Sequence, residues 1–314
     1  MPSALKNISR LFETAQQRQA REEKETALVQ KDIADQLLRL SKFLDRDKPG
    51  DIALFDELLS QADVKAHPDI YAEILYEIVN RQAFHQACTL LDMGASPKYT
   101  CPYNTDSLVK RALWNAAFDR SPERDWRSFT CRLLDAGADC FQNNGVFDTI
   151  DRIVLTGGAS VFKKFIETAP HEKIRDYRTS NNNTLLVYVI QSAPFLASML
   201  LDLPTDVLNI NFPDLQSGKP PIMLAMSSNR VSLEERKQII EKLLMHKADI
   251  FKRDKIGLSA VDLAKKLRSD GNPNMNGIPE MIEKALDEHF SPELKQSIKV
   301  ISVPLRKDRV YKPH

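Results

Sequence analysis

The stretch that decides the fold is LLMHKADIFKRDKIGLSAVDLAKKL, residues 243–267. Two leucines close an apolar helical run, and the polar segment that begins at Ala248-Asp249 shows no helical periodicity. A second helical run follows Ser259, whose hydroxyl oxygen can accept a hydrogen bond from the first turn of that helix. The stretch therefore predicts a helix end, a turn and a helix start, in that order.

The same order of residues recurs along the chain. It is found in TLLDMGASP (89–97), RLLDAGADC (132–140) and KLLMHKADI (242–250), with a related helix end in SMLLDLPTDVLNIN (198–211) and a weaker one in KKFIETAPHEKI (163–174). The apolar pairs begin at positions 90, 133, 165, 200 and 243, in steps of 43, 32, 35 and 43 residues. Such periods indicate an array of helix pairs, because one pair alone cannot bury its own apolar face.

These repeats resemble the ankyrin repeat, a unit of about 33 residues with a β-turn and two antiparallel helices. In the unit 217–250, PPIMLA (220–225) stands where the family has its T-P-L-H-x-A signature, and LLMHKAD (243–249) stands where it has L-L-x-x-G-A-D. The segment 253–267 opens the next unit, and NNNTLLVYVI (181–190) opens an earlier one. The resemblance implies an all-α, ankyrin-repeat-like helical solenoid with helical N- and C-terminal extensions.

The resemblance also implies a division of the chain. We expect an N-terminal helical extension at 1–48, an N-terminal helical cap or divergent repeat at 49–88, ankyrin repeats at 89–270, and C-terminal helices with a basic tail at 271–314. A cap is expected because a stack of repeats needs atypical end units that shield its core from water. The centre of the N-terminal extension, QQRQAREEKE (16–25), is polar on every side and predicts a solvated helix.

Several residues of the recurring turns have a specific structural requirement. Gly94 and Gly137 follow predicted helix ends, where the chain needs a left-handed residue and glycine adopts that conformation without penalty. Lys247 stands at the equivalent position, where its side chain should cost on the order of 1 kcal/mol. Ser259 and Thr184 precede predicted helices and are expected to be their N-caps.

Two of the steps are longer because polar inserts, 118–128 and 227–237, separate the two helices of a unit. Trp114 and Trp126 bracket the first insert. Two interpretations of these tryptophans stay open. Either the two rings pack beneath the loop, or one of them is exposed and binds a partner.

The composition argues against several classes of function. Lys and Arg number 44 against 43 Asp and Glu, so bulk charge does not indicate a nucleic-acid binder. No Cys and His pattern has zinc-ligand spacing, and neither a metal nor a cofactor is predicted. Cys88, Cys101, Cys131 and Cys140 are predicted to be free thiols, and with no apolar secretory signal they indicate a cytoplasmic protein.

One segment raises the question of a membrane span. TLLVYVIQSAPFLASMLL (184–201) runs for 18 residues without a charge, which is close to the length of a spanning helix. Pro194 interrupts its middle, and a proline there breaks a single helix. We predict two short buried helices joined by a tight turn, and no membrane span.

No catalytic motif stands out, so the chain is predicted not to be an enzyme. A Gly-rich phosphate loop, an H-E-x-x-H helix and a G-x-S-x-G elbow are all missing from the sequence. The alternative is a Cys-His hydrolase or transferase in the N-terminal region, with the repeats as its targeting arm, because His85 and Cys88 share one helical face. Helix packing explains the same pair. A third hypothesis, coiled-coil pairing of the N-terminal helix, is disfavoured by broken heptads.

The resemblance implies a non-catalytic, monomeric module that binds a protein partner through the concave face and the turn tips of the repeats. The predicted partner-binding residues are Tyr99, Tyr103, Asn143, Asn144, Phe147, Asn181, Asn182, Tyr188, Asp214, Gln216, Arg253 and Lys255. Tyr99, Tyr103 and Phe147 are expected to be the main anchors, because aromatic side chains on turn tips call for a cover. Units with inserts are similar to those of secreted ankyrin effectors from intracellular bacteria, which would place the protein in the host cytosol.

Overall fold

The computed structural model describes residues 14–99, 101, 106–141, 148–269 and 277–289. Every regular element within these ranges is a helix, which confirms the all-α prediction. The chain divides into two compact units, Met1–Lys173 and Ile174–His314. Both units contain helix pairs of the kind that the sequence repeats predict.

In the unit Met1–Lys173 a long helix is followed by a shorter helix and three helix pairs. The helices are α1 (Ala15–Phe43), α2 (Pro49–Ser60), α3 (Pro68–Asn80), α4 (Phe84–Asp92), α5 (Leu108–Phe118), α6 (Trp126–Asp135), α7 (Thr149–Arg152) and α8 (Gly158–Thr168), with a π-helical turn (Ile153–Gly157) between the last two. The short helix α9 (His171–Asp176) includes the residues on both sides of the division at Lys173. The first half of α1 is exposed, as its polar sequence predicts. Its second half packs against α2 and α3 and buries Ile33, Ala34 and Leu37.

The pairs of this unit stack side by side. The first helices of the pairs are α3, α5 and α7, and the second helices are α4, α6 and α8. The middle first helix, α5, contacts α3 on one side and α7 with its π-helical turn on the other, and α6 contacts α4 and α8 in the same way. This contact of first helix with first helix and second with second is the arrangement of an ankyrin-repeat-like solenoid.

The unit Ile174–His314 repeats the arrangement. Its helices are α10 (Leu185–Ser192), α11 (Ala197–Leu200), α12 (Thr205–Leu208), α13 (Pro221–Ser227), α14 (Leu233–Met245), α15 (Ala260–Ser269) and α16 (Ile278–His289). The first helices α10, α13 and α15 contact one another in order, and so do the second helices α11, α14 and α16. Of the C-terminal helices predicted within 271–314, α16 is present, whereas residues 290–314 with the basic tail lie outside the described residues.

The uncharged segment 184–201 forms short helices, as predicted. α10 ends before Pro194, and a 3₁₀ turn (Pro194–Leu196) leads into α11. Proline breaks the helix here because it lacks the amide hydrogen that an unbroken helix requires. In the part of the chain that the structure describes, no helix is both long and apolar enough to cross a membrane.

The apolar pairs that mark each repeat lie at or near the ends of second helices and are buried. Those with at most 9% exposure are Leu90 and Leu91, Leu133 and Leu134, Phe165 and Ile166, and Leu200 and Leu201. In the last pair, Leu243 is fully buried and Leu244 is half-buried. Each fully buried side chain of this size contributes on the order of 2 kcal/mol of hydrophobic free energy.

The backbone of the turns also follows the sequence prediction. Gly94 and Gly137 have φ angles of +91° and +83°, and Lys247 adopts the same left-handed region at +59°. The hydroxyls of Ser259 and Thr184 each accept a hydrogen bond from the amide three residues later, at 3.2 and 3.3 Å. The local signals in the repeats therefore set both the ends and the starts of the helices.

Acid–base pairs join consecutive second helices. The pairs are Asp92 with Arg132, Asp135 with Lys164 (3.0 Å) and Asp202 with Lys242 (2.5 Å). In each pair the acid is the last residue of one second helix or lies just after it, and the base lies on the next second helix. These side chains are partly exposed, so each pair contributes at most about 1 kcal/mol. Because the same pairing recurs, it indicates that consecutive second helices are aligned in the same way.

Three reverse turns stand at equivalent positions in the unit Ile174–His314. They span 179–183, 214–219 and 254–258, and in each the amide of the first residue donates to the carbonyl of the last, at 3.0, 2.9 and 2.8 Å. This common closure makes the three turns the tips that precede the first helices α10, α13 and α15.

Neighbouring turns are joined by hydrogen bonds. Asn183 Nδ2 donates to Asp214 Oδ1 at 3.0 Å, and the Lys255 amide donates to the Ser217 carbonyl at 3.1 Å. Gly218 lies at the second junction with φ +74°, and a Cβ atom at this position would lie 2.8 Å from the Lys255 amide nitrogen. Glycine is therefore required by both the backbone angle and the close approach.

We expect Gly218→Ala to lower the free energy of unfolding by at least about 2 kcal/mol, because it combines left-handed strain with a steric conflict against backbone. Gly257→Ala is the matched control. Gly257 has φ +85°, but a Cβ atom there would have no other atom within 4 Å, so only strain of about 1 kcal/mol applies. Urea unfolding of both variants, followed by helical circular dichroism, measures the difference. Equal losses would contradict the close approach of the turns.

Candidate protein-interaction surface

Helix α5 carries the most exposed aromatic pair of its unit among the described residues. Ser107 caps its N-terminus by accepting a hydrogen bond from a first-turn amide. The helix buries Leu108 and Ala112 on one face. Trp114 and Phe118 are four residues apart and share the opposite face, since residues at this spacing are neighbours on a helix. The packing of α5 thus leaves these two rings outside the core.

We name as the aromatic surface the four residues Trp114, Phe118, Arg152 and Leu155. The centroids of the Trp114 and Phe118 rings are 4.7 Å apart, and the two residues are 39% and 61% exposed. The Arg152 guanidinium carbon lies 4.7 Å from the Trp114 ring centroid. Leu155 is 52% exposed on the π-helical turn, which packs against α5. The surface is therefore built from two consecutive first helices.

The geometry of the aromatic surface is held by its own contacts. The tilted contact between the rings contributes about 0.5–1.5 kcal/mol beyond area burial. A guanidinium over a tryptophan ring adds about 0.5–1 kcal/mol at an exposed site. Leu155 owes its position to the π-helical turn Ile153–Gly157, and such turns are rare and occur often at functional sites.

Asp119 fixes the chain where it leaves α5, directly after Phe118. Its carboxylate accepts hydrogen bonds from Trp126 Nε1 at 3.0 Å, Arg124 Nη1 at 3.3 Å and the Ser121 amide at 3.1 Å. Burial acts to raise the pKa of Asp119, but these hydrogen bonds outweigh it and hold that pKa below its ordinary value. The carboxylate stays ionised and anchors the insert that follows the aromatic surface.

The two tryptophans have different environments. The packing interpretation fits Trp126, and the exposure expected in the other interpretation is found at Trp114. Trp126 is 1% exposed and packs edge-on against Phe84 and Phe129, with centroids 5.1 and 5.6 Å away. It lies beneath the insert, as the packing interpretation predicts. Trp114 is the exposed one.

The structure distributes the predicted partner-binding residues over several environments. Asn181, Asn182, Gln216, Arg253 and Lys255 are exposed, Tyr99 and Tyr188 are half-buried, and Asp214 is buried. Tyr103, Asn143, Asn144 and Phe147 lie outside the described residues. Only Tyr99 belongs to the same unit as the aromatic surface among those that are described. A binding role for these residues stays a prediction.

Tyr99 is folded partly onto the array and is not a fully exposed anchor. Its ring lies 5.6 Å from the ring of Tyr76, which is 1% exposed. Burial, reinforced by the nearby carboxylates of Glu73 and Glu77, raises the pKa of Tyr99 to about 12. One side of the ring is therefore covered by α3, and the residue as a whole is half-buried.

The sequence suggested an exposed position for Asp214, whereas the structure buries its side chain. It is 3% exposed, and its carboxylate accepts hydrogen bonds from the Ser217 amide at 2.8 Å and from Asn183 Nδ2 at 3.0 Å. Burial acts to raise the pKa of Asp214, but these hydrogen bonds keep it below its ordinary value. The side chain faces inward because it closes its own turn and binds the preceding one.

Arg253 and Lys255 are exposed and also support their turns. Lys255 Nζ donates to the Leu215 carbonyl at 2.6 Å, and Arg253 Nη1 donates to the Gly257 carbonyl. Their long side chains lie along the turn tips, so part of each surface is already used within the chain. Their aliphatic parts remain available for contact.

The environment of Cys88 does not favour a nucleophile. Burial raises the pKa of the Cys88 thiol, whereas a reactive cysteine needs a lowered pKa. His85 is exposed, and within the described part of the chain no hydrogen bond joins it to Cys88. The same part of the chain contains no cluster of three His, Cys, Asp or Glu side chains arranged to hold a metal ion.

Comparisons with known proteins give a structural likeness and no sequence relative. No protein-family model and no curated protein match the chain. The chain is similar to EF0377, an ankyrin repeat protein of known crystal structure, with 17% identity and a TM-score of 0.48 over 69% of this chain and 97% of that one. A likeness at this level carries no argument about function. The ankyrin-repeat-like fold stands on the stacking of helix pairs within each unit.

Phe118, Arg152 and Leu155 were not predicted from the sequence to be surface residues. The spacing of four between Trp114 and Phe118, next to a polar insert, was a usable signal. For Arg152 and Leu155 the sequence held no comparable signal. Their exposure follows from how α7 and the π-helical turn pack against α5.

We expect Asp214→Ala to lower the free energy of unfolding by about 2 kcal/mol or more, since it leaves buried polar groups without partners. Gln216→Ala, an exposed position in the same turn, should change it by less than about 0.5 kcal/mol. Because the folded-state pKa of Asp214 is lowered, its contribution is present above about pH 4 and is lost as the pH falls through the folded value. Urea unfolding at neutral and acidic pH tests this. A wild-type advantage over Asp214→Ala that persists in acid would contradict it.

Proposed function

We propose that this protein is a non-catalytic protein-interaction module that binds a protein partner across the aromatic surface and the turn tips. The observation that carries the proposal is the Trp114–Phe118 pair, whose rings are 4.7 Å apart and yet 39% and 61% exposed. An exposed apolar cluster of this kind gains free energy when a partner covers it. Tryptophan and arginine are also the residue types that most often dominate binding free energy.

The aromatic surface is ordered before any partner arrives. Arg152 lies over the Trp114 ring, and the hydrogen bonds of Asp119 fix the chain after Phe118. A side chain that is already held loses little conformational freedom on binding, so more of the contact free energy appears as affinity. A surface built on helices is also more precise than one built on loops.

The predicted turn-tip residues form a second proposed contact set. The exposed ones are Asn181, Asn182, Gln216, Arg253 and Lys255, to which we add the half-buried Tyr99 and Tyr188 and, outside the described residues, Tyr103, Asn143, Asn144 and Phe147. Polar and amide side chains of this kind suit the rim of an interface, where hydrogen bonds to a partner coexist with water. Asp214 is left out because its carboxylate is committed to the fold.

Other parts of the sequence-based hypothesis are independent of this surface. A monomeric state, a cytoplasmic location and delivery into a host cytosol as a bacterial effector stay predictions. The Cys-His hydrolase or transferase remains the competing hypothesis, and the raised pKa of Cys88 gives it no support.

We expect the double substitution Trp114→Ala with Phe118→Ala to reduce partner capture at least about tenfold, because removal of a binding anchor costs about 2 kcal/mol or more. Leu54→Ala is the matched control, since Leu54 is 46% exposed in the same unit but lies on α2. The measurement is quantitative mass spectrometry of the proteins retained from lysate by the tagged full chain. Proteins retained equally by wild type and the double variant would refute this use of the surface.

Thermal unfolding of the same variants separates binding from folding. The double variant loses the ring contact and the contact of Arg152 with Trp114, so it should lose no more than about 2.5 kcal/mol of stability. A much larger loss would show that the rings belong to the core and that the aromatic surface is not a binding site.

A further inference from the structure

A cleft of about 430 Å³ lies between α3 and the segment that follows α4. Its α3 wall is formed by Asp69, Ile70, Ala72 and Glu73, and its opposite wall by Ser96, Lys98 and Tyr99. Two carboxylates thus share the cleft with an aromatic ring and apolar side chains. A long basic side chain fits this chemistry, because its aliphatic stem can lie on apolar groups while its cationic head meets a carboxylate.

The two carboxylates differ in what already surrounds them. Glu73 forms an ion pair with Lys42 of α1 at 3.0 Å, which offsets part of its charge. Asp69 is exposed in the first turn of α3, and in the described part of the chain no ion pair or hydrogen bond engages its carboxylate. Among the described residues that line the cleft, Lys98 is the one cation. Asp69 is therefore the carboxylate best placed to receive a cation.

The Tyr99 hydroxyl lies close to the same negative charge. After burial, the main causes that raise the pKa of its hydroxyl to about 12 include the carboxylates of Glu73 and Glu77. The Tyr99 ring can also attract a cation through its π face. A cation beside Tyr99 would therefore meet an aromatic face and lie close to the carboxylates of Glu73 and Glu77.

The surrounding segment has a strong charge imbalance. Within Pro49–Asp92 the carboxylates are Asp51, Asp56, Glu57, Asp63, Asp69, Glu73, Glu77 and Asp92, against the cations Lys65 and Arg81. The whole chain carries +1, so the acidic charge is concentrated here. Lys42 and Arg132 contribute from outside the segment by pairing with Glu73 and Asp92, and the segment remains net acidic. Such a field attracts a basic partner before contact.

We infer that this cleft binds a lysine or arginine side chain on an exposed basic segment of the protein partner, an inference that rests on the proposed function. The cationic head pairs with the Asp69 carboxylate, and Glu73 contributes a second acceptor. The aliphatic stem lies between Ile70 and the Tyr99 ring. The cleft adjoins the first helix α3 in the same unit as the aromatic surface, so the same partner chain can reach it while it binds elsewhere on this unit.

The probe is a fluorescent peptide of alternating arginine and glycine, titrated with the full-length chain and followed by anisotropy at about 0.15 M ionic strength, where long-range charge effects are screened. Asp69→Asn should weaken binding at least about tenfold, as the loss of a charge-assisted hydrogen bond does. Glu57→Gln removes an equal charge from exposed α2, outside the cleft, and should weaken binding less than about twofold. Lys98→Met, which removes a cation from the wall of the cleft, should strengthen binding.

Two results would overturn the inference. One is no binding of the arginine peptide, or equal binding of a matched peptide with glutamate in place of arginine. The other is an equal loss in Asp69→Asn and Glu57→Gln, which would show diffuse attraction to the acidic segment. If the peptide fails while lysate proteins still depend on Trp114 and Phe118, only the basic partner segment is refuted. If the peptide binds the cleft while the capture of lysate proteins does not depend on Trp114 and Phe118, only the proposed role of the aromatic surface is refuted.

Discussion

The structure depends on one constraint, the inability of a single helix pair to bury its own apolar face. Within each of the two units, apolar residues at or near the ends of the second helices are buried, and consecutive second helices contact each other. The free energy of one unit is therefore shared with its neighbours. The left-handed residue after these helix ends, glycine at 94 and 137 and lysine at 247, turns the chain so that the next pair can stack.

Features that depend on a few neighbouring residues could be predicted from the sequence, and features that depend on distant partners could not. The caps at Thr184 and Ser259 and the backbone at Lys247 follow from residues within one helical turn. The burial of Asp214 depends on Asn183, which is 31 residues earlier. The sequence alone does not distinguish the environments of Trp114 and Trp126. The packing of α5 and α6 leaves Trp114 exposed and buries Trp126.

The aromatic surface and the acidic cleft share an architectural origin. Both lie on first helices of the unit Met1–Lys173, whose second helices hold the apolar pairs. Each of these first helices buries one face in the stack, so its outward positions are released from packing and can vary in chemistry. The rings of α5 and the carboxylates of α3 occupy such positions, on elements that the stack keeps rigid.

The acid–base pairs connect consecutive second helices in one direction along the chain, with the acid from the earlier helix and the base on the later one. Helix α6 shows both halves, with Arg132 facing Asp92 of the preceding helix and Asp135 facing Lys164 of the following one. Asp202 and Lys242 repeat the match in the other unit. A helix pair with a base facing the preceding pair and an acid facing the following pair can stack on any other pair that has the same arrangement. Duplication or loss of a whole pair preserves the connection, so a chain of this design can change its length in evolution without redesigning its joints.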